Sequence, residues 1–226
     1  MKKIALVMSM ILVLLVGCNK ETDAEKFKNE YESLNGQTSQ SGKKYLNVEI
    51  EKDNIIKYVS ISELLDVIKN ETGVIYLGFP ECPWCRNAVP ALLEAANSTS
   101  IETIYYLNMF DVRDKLSLDN DGNIVTEVEG AKGYTDLLNA LDTILDDYVI
   151  SDEDGNEVKT GEKRIYVPLV IFVRDGEIVD YHADTVSSQT DPYVDLTNEE
   201  KNELINIYKE KINKITSNTC TDQGRC

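Results

Sequence analysis

Two cysteines separated by two residues, Cys82 and Cys85, are the side chains in this sequence best suited to chemistry. An apolar run at 74–79 precedes them and a helical pattern follows, so Cys82 is predicted at a helix N-cap and Pro83 at the first helical position. A thiol there faces unpaired backbone N–H groups and the positive end of the helix dipole, which favour the nucleophilic thiolate. Cys85 lies one turn away, where it can attack a mixed disulfide formed at Cys82. The spacing therefore predicts reversible dithiol–disulfide chemistry.

A zinc half-site and an inert structural disulfide are the two other interpretations of this motif. Zinc needs four ligands, but the remaining pair, Cys220 and Cys226, has the wrong spacing and His182 is the single histidine. No metal site and no cofactor are therefore predicted. The order strand, Cys-x-x-Cys, helix favours redox chemistry over a purely structural disulfide.

Residues 1–17 have the organisation of a secretory signal: two lysines, an apolar run at 4–16, and a small residue before Cys18. The apolar run is too short for a comfortable transmembrane helix. Its end resembles the bacterial lipobox, which implies that Cys18 receives a diacylglycerol anchor and becomes the mature N-terminus. An ordinary signal peptide with a chance cysteine is the alternative. The lipid-anchored chain is expected on the extracytoplasmic face of a bacterial cell membrane.

Assigning Cys18 to lipid leaves an even set of cysteines, which pair as Cys82 with Cys85 and Cys220 with Cys226. Export places both pairs where disulfides persist. We expect the second disulfide to be a structural clip; an electron relay to the first pair and a bond to another molecule are the alternatives. The formal net charge of −17 argues against a nucleic-acid partner.

Composition divides the chain into four parts. Residues 1–17 are the signal peptide, and 18–44 are polar and are predicted to be a lipid-anchored flexible tether with a short helix at 24–34. Residues 45–216 carry the hydrophobic periodicity of a folded domain, and 217–226 form a cysteine-containing tail.

Within the domain, the period of the apolar residues predicts alternating strands and helices. Strands are predicted at 45–50, 55–59, 74–79, 103–108, from Pro168 to 174, and at 177–182. Helices are predicted after Ser60, after Cys82, at 134–148 and from Thr197 to about 215. Two acidic segments, 119–122 and 152–155, are predicted to be hairpin turns, because neither fits the calcium-binding EF-hand loop.

These features in this order resemble the thioredoxin superfamily over roughly residues 45–215. Cys82-x-x-Cys85 matches its active-site motif, Pro90 matches the proline in its active-site helix, and Val167-Pro168 with the following hairpin matches its cis-proline strand. The resemblance implies an α/β, three-layer sandwich with a central mixed sheet flanked by helices and with inserted hairpins. The motif and the lipobox look most like extracytoplasmic thioredoxin-like lipoproteins of Gram-positive bacteria, such as the bacteriocin-transport-accessory type.

The resemblance also implies roles in a substrate groove. Val167 would offer its backbone to a substrate peptide, and Pro168 would shape the groove. Trp84 would contact partners beside the sulfurs, or would simply pack at the helix start. One departure is that Tyr76 stands where thioredoxin carries a buried aspartate before its cysteine pair.

The leading functional expectation is an enzyme: a membrane-anchored thiol–disulfide oxidoreductase acting on protein disulfides or dithiols. Cys82 would attack and Cys85 would resolve, with a membrane or extracytoplasmic redox partner whose identity the sequence does not give. The alternative is a non-catalytic, thioredoxin-like binding lipoprotein that assists an export system. The direction of electron flow is not encoded in the motif itself.

Overall fold

The protein is described by a computed structural model that covers residues 21–217. Cys18, Cys220 and Cys226 lie outside the described residues, so the lipid anchor and the second disulfide stay predictions. No helix between residues 21 and 217 combines the length and the apolar character needed to cross a bilayer.

Five helices and nine strands make up the described part of the chain. The helices are α1 (Asp23–Glu32), α2 (Ile61–Asn70), α3 (Pro83–Asn97), α4 (Tyr134–Leu141, continued by a 3-10 turn at Asp142–Ile144) and α5 (Asn198–Thr216). The strands are β1 (Ile56–Tyr58), β2 (Gly73–Gly78), β3 (Ile104–Asn108), β4 (Lys115–Leu118), β5 (Ile124–Val128), β6 (Asp146–Ser151), β7 (Glu157–Arg164), β8 (Leu169–Arg174) and β9 (Glu177–Ala183).

Five strands form a mixed sheet in the order β1-β3-β2-β8-β9. β1, β3 and β2 are parallel, whereas β8 and β9 are each antiparallel to the preceding neighbour. β2 is the central strand, and its register places Tyr76 beside Tyr106 of β3 and Val170 of β8. All six residues of β2 are buried, as expected for a strand covered on both faces.

Separate hydrophobic clusters cover the two faces of this sheet. Val74 and Tyr76 pack with α1, α3 and α5, whereas Ile75 and Leu77 pack with α2 and α4. The alternation follows from the two-residue period of a strand. The expectation of a mixed α/β arrangement, with helices packed on a central mixed sheet, is therefore confirmed.

Two hairpins, β4–β5 and β6–β7, are inserted between β3 and β8 and form their own two-stranded sheets. The predicted turns close both: the carboxylates of Asp119 and Asp152 each accept backbone N–H groups two and four residues ahead. At the base of the insertion, Arg164 donates to the Asp114 carboxylate at 2.8 Å.

The short helix predicted at 24–34 is confirmed as α1 (Asp23–Glu32), but this part of the chain is packed on the domain and is not a flexible tether. α1 carries a capping box between Thr22 and Glu25, and it buries Phe27 and Tyr31 completely in the core. The capping pattern was readable in the sequence, and two aromatic residues one turn apart give α1 an apolar face. The folded unit therefore includes residue 23 rather than starting at 45.

Residues 45–50 do not form the predicted strand. Val48 and Ile50 are buried, as their alternation indicates, but their amides donate to side chains: Val48 N–H to Asn35 Oδ1 at 3.0 Å, and Ile50 N–H to Glu32 Oε1 at 2.8 Å. The side-chain oxygens replace a strand partner, so the segment is extended without joining a sheet.

The predicted helix at 134–148 stops early, at Leu141. From Asp146 the chain belongs to β6, which pairs antiparallel with β7. The apolar residues later in this run serve other packing: Leu145 lies in the core beside α4, and the backbone beyond it takes its hydrogen bonds from β7. Tertiary pairing therefore overrides the helical period here.

Candidate active site

Cys82 occupies the N-cap of α3 directly after β2, as predicted. Its backbone is extended (φ −73°, ψ 117°), its N–H donates to Phe79 O at 3.2 Å, and Pro83 is the first helical residue. The Cys82 sulfur accepts the Cys85 backbone N–H at 3.2 Å. A helix N-terminus thus presents a backbone donor to this sulfur, which favours its anionic form.

The Val167–Pro168 segment lies against the same sulfur. The Cys82 thiol is 3.6 Å from Val167 O, and the Val167–Pro168 peptide bond is cis, as the resemblance implies. The next residue, Leu169, begins β8 and pairs with Leu77 near the end of β2. Adjacent strands therefore hold the two halves of the site side by side.

Cys82 and Cys85 have opposite environments. Cys82 is 6 % exposed and Cys85 is completely buried, and both are free thiols. A hydrogen bond from the Cys85 thiol, helped by the Cys85 backbone N–H, lowers the pKa of Cys82. Burial, followed by the hydrogen bond to Cys82, raises the pKa of Cys85 well above its ordinary value. The geometry therefore separates a nucleophile from a protonated partner.

Trp84 is partly buried beside a cleft of about 500 Å³. The cleft continues along the segment after β9, and its other walls include His182, Asp184, Thr185 and Gln189. Of these, His182 is bonded through Nε2 to Thr185 O at 2.7 Å, so this histidine packs rather than acting on the sulfurs. Trp84 thus borders open space in which a partner could lie.

A buried pair of tyrosines behind the cysteines was not predicted as part of the site. The Tyr76 and Tyr31 hydroxyls are 2.8 Å apart, and both side chains are completely buried. Burial, and then the nearby Cys85, raises the pKa of Tyr76 well above its ordinary value. The hydroxyl pair therefore stays neutral and provides polar groups on the buried side of Cys85.

Arg86 is a second residue that sequence reasoning missed, although a charge inside an apolar helix was a readable signal. It is only 1 % exposed. Its guanidinium donates to Leu46 O at 2.7 Å, Tyr31 O at 2.9 Å, Pro80 O at 3.2 Å and Asn35 Oδ1 at 2.6 Å. Through these hydrogen bonds, Arg86 connects the end of α1 and the segment after it to α3, whose N-cap is Cys82.

Arg113, between β3 and β4, is the third residue missed, and nothing in its sequence context marks it. Its guanidinium carbon lies 5.1 Å from the centre of the Phe79 ring, and Nη1 donates to Ile165 O at 3.4 Å. Phe79 precedes Cys82 by three residues and Ile165 precedes Val167 by two. The insertion thus delivers a cation to both segments that flank the Cys82 sulfur.

Within residues 21–217, no three histidine, cysteine, aspartate or glutamate side chains converge on a common point. The arrangement combines an ionisable thiol at a helix start, a buried second thiol one turn later, and a cleft lined by the intervening Trp84. Such an arrangement can form and resolve a mixed disulfide.

Comparison of the chain with protein-family models and with curated proteins finds no match.

Proposed function

We propose that the protein is a thiol–disulfide oxidoreductase of the thioredoxin-like kind, acting on protein disulfides or dithiols. One observation carries the proposal. The Cys82 sulfur caps α3, accepts the Cys85 N–H at 3.2 Å, and lies 3.6 Å from the carbonyl that precedes cis-Pro168. A purely structural cysteine needs neither a lowered pKa nor a protonated partner one turn away.

The reaction proceeds in two exchanges when a client disulfide is reduced. The Cys82 thiolate attacks one client sulfur, the client S–S bond breaks, and a mixed disulfide forms while the other client sulfur leaves as a thiolate. Cys85 then loses its proton and attacks the Cys82 sulfur, which releases the second client sulfur. Two electrons pass to the client, and Cys82 and Cys85 end as a disulfide. The reverse sequence oxidises a client dithiol.

The sheet order supports the thioredoxin-like part of the proposal. Three parallel strands followed by two antiparallel ones, with the cysteines after the central strand and the cis-proline on its antiparallel neighbour, agree with the arrangement that the resemblance implies. The lipid anchor at Cys18 and a site of action outside the cytoplasm belong to the same proposal and derive from the sequence.

The test is insulin reduction by dithiothreitol followed by turbidity, comparing the wild-type protein with Cys82→Ser. We expect the wild type to shorten the lag and Cys82→Ser to match the uncatalysed control. Equal rates for wild type and variant would leave a binding lipoprotein as the better interpretation.

Clients are identified with a second variant. Cys85→Ser removes the resolving thiol, so Cys82 should accumulate in mixed disulfides that mass spectrometry of cell extracts identifies. A Cys82→Ser/Cys85→Ser double variant is the control, and it should capture none of the same proteins. A double variant Cys220→Ser/Cys226→Ser tests the relay alternative, which requires lost turnover at unchanged melting temperature.

A further inference from the structure

Arg113 is a partly buried cation without an anionic partner among the described residues. No carboxylate in this part of the chain pairs with it, and its Nε atom is buried with no hydrogen-bond partner. Its polar contact is a single long bond to Ile165 O at 3.4 Å. A buried, unpaired polar atom on a charged group is costly and uncommon, so it calls for an explanation.

Arg164, the neighbouring arginine, shows what a structural role looks like in the same region. Its guanidinium donates to both the carboxylate and the carbonyl of Asp114, at 2.8 and 3.0 Å, and it stacks 4.0 Å from the centre of the Tyr148 ring. The charge of Arg164 is therefore neutralised locally, whereas the charge of Arg113 is not.

The anion available to Arg113 is the Cys82 thiolate. Arg113 stacks on Phe79, whose carbonyl accepts the Cys82 N–H, and it donates to Ile165, two residues before the carbonyl that the Cys82 thiol contacts. The guanidinium and the sulfur are therefore held by the same two short segments.

We propose that Arg113 is a positioning residue whose unpaired cation stabilises the Cys82 thiolate and thereby makes the cysteine pair an oxidant of client dithiols. This inference rests on the proposed oxidoreductase function and adds its direction. A stabilised thiolate favours the reduced form of the pair, and a pair with a stable reduced form takes electrons from its clients.

Other hydrogen-bond donors around Cys82 also stabilise its thiolate, but they belong to the Cys-x-x-Cys motif itself, which does not fix the direction of electron flow. The Cys85 thiol and the backbone N–H groups of Cys85 and Trp84 lower the pKa of Cys82, and the Arg113 charge lowers it further against the effect of burial. Glu81 adjoins Cys82 in the chain, and its charge acts on the buried Arg86. The Arg113 guanidinium remains a cation, because arginine does not deprotonate in proteins.

Oxidation of a client dithiol takes two exchanges. A client thiolate attacks the Cys82 sulfur of the oxidised pair, the bond between the two protein sulfurs breaks, and Cys85 leaves and takes a proton. The second client thiolate attacks the client sulfur of the mixed disulfide, and Cys82 leaves as a thiolate beside Arg113. The client loses two electrons and the protein gains them. A low-molecular-weight disulfide such as oxidised glutathione can regenerate the pair by the reverse exchange.

The experiment compares full-length wild type with Arg113→Met, Arg113→Lys and Arg174→Met. Arg113→Met removes the charge while keeping an unbranched chain, Arg113→Lys keeps the charge, and Arg174→Met removes a half-buried arginine that donates to Lys214 O. Two readouts are measured: the pH dependence of iodoacetamide labelling at Cys82, by peptide mass spectrometry, and the equilibrium of the cysteine pair with reduced and oxidised glutathione. Circular dichroism confirms folding of each variant.

In Arg113→Met we expect the ratio of Cys82 thiolate to thiol at neutral pH to fall by about tenfold, because one nearby opposite charge is lost. The glutathione equilibrium should move by a comparable factor towards the oxidised protein. Arg113→Lys should retain most of the wild-type ratio, and Arg174→Met all of it.

An unchanged Cys82 labelling profile and glutathione equilibrium in folded Arg113→Met would overturn the inference even if the wild type turns over insulin. If Arg113→Met does not fold, Arg113→Lys decides: a labelling profile unlike the wild type, despite the retained charge, would count against an electrostatic role. Absence of insulin turnover in the wild type tests only the proposed function, since both readouts for Arg113 are independent of turnover.

Discussion

At the scale of single residues, Cys82 and Cys85 differ in proton affinity because their surroundings differ. Cys82 meets backbone and thiol donors at a helix start, whereas Cys85 is enclosed by the core. Hydrogen bonds at the helix start lower the pKa of Cys82, and burial one turn later raises the pKa of Cys85.

This difference predicts a pH-dependent stability of the reduced protein. The folded-state pKa of Cys82 lies below the ordinary 9.0, so its stabilisation is fully present above 9.0 and is lost as pH falls through the folded value. For Cys85 the folded pKa lies above 9.0, so its stabilisation is present below 9.0 and is lost as pH rises.

The measurement is urea unfolding under reducing conditions at a series of pH values. The stability of the wild type relative to Cys82→Ser should increase as pH rises from the lowered folded-state pKa of Cys82 towards 9.0. Wild type relative to Cys85→Ser should show the opposite trend above about pH 9. A difference between wild type and Cys82→Ser that does not vary with pH would contradict the lowered pKa.

The buried tyrosine pair leads to a second residue-level prediction. Tyr76→Phe removes the partner of the Tyr31 hydroxyl, 2.8 Å away in a region without solvent. Leaving a buried hydroxyl without its bond should lower the free energy of unfolding by about 1–3 kcal/mol. Tyr105→Phe is the matched control, because the Tyr105 hydroxyl bonds Glu71 at the surface. Equal losses in the two variants would mean that burial of the pair adds nothing.

At the scale of elements, Arg86 joins α3 to the segment between α1 and β1. Four acceptors converge on its guanidinium, and one of them, Asn35 Oδ1, also accepts the Val48 N–H at 3.0 Å. These hydrogen bonds connect α3 to the extended segment at 45–50, which pairs with no strand of residues 21–217. The extended segment depends on Arg86 for its position.

Arg86→Met should therefore lower the free energy of unfolding by about 3 kcal/mol or more, because several buried acceptors lose their donor together. Hydrogen exchange of the Val48 amide should accelerate more than that of amides in β2, which the sheet continues to protect. Arg174→Met, which removes one half-buried donor, is the control for stability. Uniform acceleration of exchange across the whole chain would show that Arg86 has no local role.

Sequence periodicity was sufficient for elements whose hydrogen bonds are internal or run between neighbouring strands. The capping boxes at Ser60 and Thr197 begin α2 and α5 as predicted, and the apolar run at 74–79 gives the central strand. For the segment at 45–50, alternation indicated burial correctly, but it cannot report that Asn35 and Glu32 supply the acceptors.

The candidate site divides in the same way. Cys82, Pro83, Cys85 and Pro168 were identifiable because their chemistry depends on local spacing or on a recognisable motif. Arg113 was not, because its role depends on which residues the insertion packs against, and no periodic pattern shows that it lacks a carboxylate partner within residues 21–217. Sequence patterns could not predict contacts between side chains that are far apart in the chain.

At the scale of the whole molecule, the acidic charge would make membrane attachment depend on the lipid proposed at Cys18. A formal net charge of −17 repels anionic headgroups, so no electrostatic attraction replaces an acyl anchor. Cys18→Ala should therefore shift the processed protein from the membrane fraction to the soluble fraction, and the mass increment of the lipid should disappear. Cys220→Ser is the matched control and should keep wild-type partitioning. Retained lipid mass in Cys18→Ala would contradict the lipobox prediction.

The two edge strands of the central sheet, β1 and β9, differ in their capacity to pair with a strand from another chain. β1 is only three residues long, and its outward amides already have acceptors: Ile56 N–H donates to Asn54 Oδ1 at 3.1 Å and Tyr58 N–H to Asp23 Oδ2 at 3.0 Å. The other edge strand, β9, has seven residues and exposes the side chains of Val179 and Tyr181. If the protein acts on unfolded clients, as proposed, an extended client segment would find free strand-edge groups at β9 rather than at β1, where Asn54 and Asp23 already accept the outward amides.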